Sequence, residues 1–268
     1  MKHIFDIIEN QKIDVNREYS NLWHLLLRTN TVNAGYSRMS VYDMLSVEFL
    51  QFDFRRGAIS ISDFLDRVGF WKPRSGEPGP ALNLNQLDLF IEVVVLFLTT
   101  MRRVNLGFND GGYDFEEIDE IITENIVNVM AMTNQKLVDM GGNKYIVIPE
   151  DEAVFAATEV VLPEDEETAL AMLQYMHYSN KEDVSAKRQI LKRLADYYER
   201  GKKQGLVNDN LGFAFNNLNI RHDNDRQIKK SDKEMIELYD ATYREVVYYL
   251  LDKSHKQYAD KIKELKTN

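Results

Sequence analysis

Between Asn216 and Arg226 the chain runs Asn-Asn-Leu-Asn-Ile-Arg-His-Asp-Asn-Asp-Arg, so amide, guanidinium, imidazole and carboxylate groups crowd into one short segment. Such a block can grip a phosphate or move a proton. The imidazole of His222 can take a ribose 2′-hydroxyl proton or protonate a leaving oxygen. The guanidinium of Arg221 can stabilise charge on a phosphorane, and the amide of Asn217 can hold a substrate, all without a metal. Arg221, His222 and Asn217 are therefore the candidate catalytic set for RNA cleavage. The same residue types also admit a structural role, with Arg221 paired to Asp223 or Asp225 and His222 hydrogen-bonded at a core edge.

Those side chains need an element to position them. A helix over 210–222 would put Leu211, Phe215, Leu218 and His222 on one stripe at i, i+4, i+7 and i+11, with Asn217 and Arg221 four apart on the neighbouring face. The preceding helix, expected over 184–203, carries Lys187, Arg188, Lys192 and Arg193, then Arg200, Lys202 and Lys203. Read as one basic stripe, the first four are candidate RNA-binding residues lining a groove. Read as a solvated helix face, the same residues pair with Asp183, Asp196 and Glu199. A second arginine and histidine, Arg17 and His24, lie two helical turns apart near the start, beside Trp23 and Leu26, which suit core packing.

Bulk properties narrow the classes. The chain has 268 residues, no cysteine and a net charge of −10. It is long enough to bury a core without disulfides, and thiol chemistry and cysteine-ligated metal are excluded. Asp6 and Glu9 interrupt the start where a secretion signal would be apolar, so a cytoplasmic protein is expected. The longest apolar run, 89–98, is broken by Glu92 and too short to span a bilayer; no membrane partner is expected. Charge is uneven: residues 1–180 carry 14 basic and 28 acidic side chains, residues 181–268 carry 19 and 15. The basic excess lies beside Arg221, and the acidic half could dock a basic protein.

The fold expected is mainly α, helical bundles with a small central β-hairpin. Periodicity predicts helices over 18–28, 41–56, 62–68, 85–103 and 115–133, the second with a mixed period that leaves its far end open to extended structure. Asp114 is placed to cap the fifth, with Glu117 three residues on. Pro73 to Pro80 reads as a stiff loop and Asn109-Asp110-Gly111-Gly112 as a turn. Residues 136–140 and 144–148 read as two strands closed by Gly141-Gly142-Asn143. Acidic clusters at 150–152 and 164–167 follow, the second suited to a helix N-terminus. Helices over 166–178, 184–203, 210–222 and 232–263 then form a four-helix unit, the last opened by a Ser231 to Glu234 capping box. Tyr239, Tyr243, Val246, Val247 and Leu250 are expected in its core. The domain reading is 1–134 helical, 135–149 hairpin connector and 150–268 helical bundle.

No phosphate-binding glycine loop, Gly-x-Ser-x-Gly elbow or His-x3-His pair occurs, and a calcium loop around Gly111 would place Leu106 at its first ligand position. No metal or cofactor is expected. From the 141–142 hairpin through Lys187-Arg188-Gln189-Ile190-Leu191-Lys192, Asn216 to His222 and Leu238 to Tyr243, the chain resembles a family of uncharacterised bacterial proteins. That family is similar to abortive-infection proteins with HEPN-like helical domains. The resemblance spans residues 136–254. It implies metal-independent RNA cleavage in phage defence or a toxin system, by a homodimer. It carries over onto Arg221, His222, Asn216 and Asn217, although the HEPN signature separates its arginine and histidine by four to six residues and here they adjoin. The alternative is a non-catalytic helical interaction or sensor module.

Overall fold

Short polar side chains write most of the helix starts. Asp14 accepts from the Asn16 and Arg17 amides to open α1 (Val15–Leu27), and Ser40 forms a reciprocal box with Asp43 at α2 (Val41–Val47). Ser60 caps α3 (Ile61–Val68), which Gly69 ends in the left-handed conformation. Each cap satisfies amides that the helix cannot bond internally. The computed structural model describes residues 13–70, 82–106, 112–202, 208–221 and 227–267. The Pro73 to Pro80 loop and Asn109 to Gly111 lie outside them. Two units divide within the second strand of the central hairpin, residues 1–147 and 148–268.

In the first unit, α4 (Leu84–Leu106) and α5 (Glu116–Thr133) pack with α1 and α2 around an aromatic core of Tyr19, Trp23, Phe70 and Phe90. The first 22 residues of α4 are long and apolar enough to cross a bilayer, but 67% of the window is buried within the fold. Glu92 on this helix is itself buried and accepts from the Val147 amide at 2.7 Å, tying the central hairpin to α4. The hairpin is β3 (Gln135–Asp139) and β4 (Tyr145–Pro149), closed by left-handed Gly141, Gly142 and Asn143 as the turn residues require.

Several expectations over this unit are corrected. The helix expected over 41–56 stops at Val47 and continues as a 3-10 turn, Phe49–Gln51, after which Phe52 is extended and packs into the core, so the far end left open by the mixed period is not α-helical. A two-stranded hairpin that periodicity missed, β1 (Val32–Ala34) with β2 (Ser37–Met39), turns at Gly35. Asp114 does not cap α5. Its backbone bridges Asn33 and its carboxylate accepts from the Asn33 amide at 3.1 Å, leaving Phe115 as an N-cap without a side-chain bond.

The second unit has five helices among its described residues, not four. Asp151 caps α6 (Glu152–Val161), the helix the sequence reading passed over, and Asp165 caps α7 (Glu166–Tyr175), so both acidic clusters serve as helix starts. α8 (Val184–Lys202), α9 (Asp209–Asn217) and α10 (Asp232–Thr267) complete it. α10 packs on α6, α8 and α9. Ser231 and Glu234 make the expected capping box at its start. Tyr239, Tyr243, Val246, Val247 and Leu250 are buried as expected. The architecture is mainly α with small antiparallel hairpins.

Candidate functional site

The Asn216 to Arg221 segment terminates α9 rather than extending it. The helix ends at Asn217, and Asn219 takes a left-handed φ of 57°, which turns the chain away from the 210–222 helix expected. Asparagine tolerates that conformation better than other chiral residues. The turn is then fixed to its neighbours. The Leu218 carbonyl accepts from the Tyr239 hydroxyl of α10 at 3.0 Å, and Asn219 Oδ1 accepts from Arg188 of α8 at 2.6 Å. Ile220 is fully buried.

The candidate catalytic residues fall as follows. The Asn217 amide donates back to the Phe213 carbonyl of its own helix at 2.8 Å. Arg221 Nη1 donates to Glu199 Oε1 of α8 at 3.0 Å, a partner the sequence reading did not name. The two side chains thus leave in different directions and share no helix face. Asn216 is exposed, and Leu211, Phe215 and Leu218 form the buried stripe as expected. His222 lies outside the described residues, as do its neighbours Asp223 to Arg226. In the first unit, Arg17 and His24 are exposed on α1, with His24 Nδ1 2.7 Å from the Ser20 carbonyl.

The candidate RNA-binding residues do not make one stripe. Lys187 is 4% exposed and points into the bundle, where its ammonium donates to Asp240 and lies 4.3 Å above the Tyr175 ring. Tyr175 donates to the same Asp240 oxygen at 2.8 Å and stacks on Tyr243 with centroids 4.0 Å apart. Burial and then Asp240 push the Tyr175 hydroxyl far above its ordinary range. Arg188 serves Asn219, Arg193 pairs with Glu167 of α7 at 2.7 Å, and Arg200 pairs with Asp165. Lys192 is exposed and bonds no described residue; Lys203 lies outside them.

A second polar cluster locks the α6–α7 turn to α8 and α10. Glu164 accepts from Tyr197 at 2.6 Å and from the buried Lys253 at 3.3 Å. The Tyr197 hydrogen bond, with Lys253 beside it, holds the Glu164 carboxyl below its usual 4.5. A carboxylate depressed on folding contributes stability above its unfolded pKa and loses it as pH falls through the folded value. Acid unfolding of the wild type is therefore expected to steepen below about pH 4.5. Glu164→Gln should flatten that part of a pH-dependent melting curve. The effect is small, because half of the Glu164 side chain is exposed to solvent screening.

Comparison of the chain with protein-family models, curated proteins and solved structures finds no match. Among the described residues, no three histidine or acidic side chains gather to hold a metal.

A feature the sequence reading missed lies at the other end of α10. Lys253 is its last buried side chain among the described residues, yet the helix continues to Thr267. Along the far half of the helix Tyr248, Leu251, His255, Tyr258, Ile262 and Leu265 recur at alternating steps of three and four. This is the spacing of a coiled-coil seam, with one polar position. Tyr248 and Tyr258 are each 63% exposed and Leu265 is 74% exposed. A groove of about 220 Å³ opens beside Tyr248, lined among others by Asn208, Glu245, Asp252 and Lys256. The spacing carries this signal, but it overlaps the stripe of the buried face, Tyr239 to Leu250, on the same helix.

Proposed function

We propose that this protein is a non-catalytic helical interaction module whose C-terminal bundle presents the far half of α10 to a partner helix. The observation that carries the reading is the exposure of Tyr248, Tyr258 and Leu265 along one stripe of α10, with Leu251 and Ile262 half-buried between them. The far half of α10 continues the packed half as one helix, and its exposed apolar side chains gain burial only when a partner covers them. The guanidinium groups of Arg188, Arg193, Arg200 and Arg221 support the same reading, since each is engaged by a side chain of its own unit. A groove for a nucleic-acid backbone needs cations free to meet phosphates.

The double variant Tyr258→Lys with Leu265→Lys tests this. A seam reserved for a partner leaves the melting temperature of the protein at low concentration within the scatter of surface substitutions, about ±0.5 kcal/mol. A loss of several degrees would mean that these side chains are covered within the chain, and the interaction reading would fall.

A further inference from the structure

We infer that the partner of the α10 seam is the α10 seam of a second copy of this chain, lying antiparallel to it; the inference rests on the interaction-module reading. The seam is self-complementary. With the two helices reversed about a point between Lys256 and Gln257, Tyr248 meets the partner's Leu265, Leu251 meets the partner's Ile262, and His255 meets the partner's Tyr258. Every seam residue is used once in each copy. The alternating-end layers that an antiparallel pair requires are thus all present within one sequence.

Charge selects the same direction. On the flanks of the seam Glu245 and Asp252 stand toward the start and Lys261 and Lys266 toward the end, while Asp252 pairs with Lys256 and Lys263 with Asp260 within the helix. Antiparallel pairing lays these acidic flank positions against the partner's basic end, with Glu245 beside the partner's Lys266. A parallel pair would instead set Lys261 against the partner's Lys266 in both copies, a like-charge contact that opposes it. The groove beside Tyr248 lies where the partner's Leu265 must arrive, and its Glu245 stands on the flank reached by the Lys266 that follows that leucine. The single polar seam position, His255, fixes the register, since any slip of one heptad would leave it against an aliphatic layer.

The pairing is modest in length, about 26 Å from Tyr248 to Leu265 at the helical rise. Its entropy cost is reduced because the first half of α10, packed in the bundle, already nucleates the helix.

The natural absence of cysteine gives a clean test. Full-length protein is sedimented over a range of concentrations, then oxidised as the single variants Tyr248→Cys and Leu265→Cys and as the double variant. The inference predicts a reversible dimer, covalent dimer from the double variant alone, and monomer for Tyr258→Lys with Leu265→Lys. Cross-linking of each single variant to itself would show parallel pairing and overturn the inference. So would a dimer that the lysine substitutions do not dissociate. A monomer at every concentration would also overturn it, and an unchanged melting temperature of the lysine variant would then leave the interaction reading standing with a different partner.

Discussion

Asp240→Ala is expected to destabilise the C-terminal unit by about 3–5 kcal/mol, the cost of leaving a buried charge without its partner. The Lys187 side chain is 5% exposed and its ammonium reaches Asp240 from inside the bundle. With the carboxylate gone, the Tyr175 ring remains as a cation-π partner and offsets about 1–2 kcal/mol at most. The Tyr175 hydroxyl also loses its acceptor. The reverse deletion is milder. Lys187→Met keeps an apolar stem in the core, and the orphaned Asp240 side chain is 38% exposed and can be hydrated, so a loss of about 1–2 kcal/mol is expected. Urea unfolding of both variants measures this asymmetry through the shift in midpoint at constant slope. A surface lysine reserved for phosphate contacts would give near-neutral stability on substitution.

Phe90→Ala should cost the N-terminal unit about 3–5 kcal/mol, the range for truncating a fully buried aromatic residue. Phe90 is 1% exposed on α4, and its ring centroid lies 4.5 Å from Tyr19, 5.1 Å from Phe70 and 5.5 Å from Trp23. Truncation removes the shared contact of three other rings, and their bulk prevents the space from collapsing. By contrast, Trp23→Phe should cost far less than its lost volume implies. The Trp23 indole Nε1 is buried with no hydrogen-bond partner among the described residues, so the substitution removes an unsatisfied donor. Loss of the near-ultraviolet circular dichroism signal during denaturant titration reports both outcomes.

Local chemistry made much of this architecture readable. Ser231 with Glu234, and the Gly141-Gly142 turn, each act through neighbours a few residues away, so their sequence pattern carries their structure. The failures arise where distant residues decide. Asp114 looks like a cap until Asn33, far back in the chain, claims its carboxylate. The strands 32–34 and 37–39 are too short for alternation to register. Around Arg221, residue types suggested chemistry because they were read together along the chain. Asn219 turns the backbone at that point, and α8 takes up Arg221 through Glu199 and Asn219 through Arg188. The α10 seam was legible throughout; exposure was needed to distinguish it from the buried stripe beside it.

The central claim, that this is an interaction module and not an RNA-cleaving enzyme, is tested most directly by incubating the purified protein with total bacterial RNA in chelator, alongside Arg221→Ala and His222→Ala. The interaction reading predicts intact RNA in every lane. Discrete fragments produced by the wild type and lost in both variants would contradict it and establish metal-independent cleavage at the Arg221 segment.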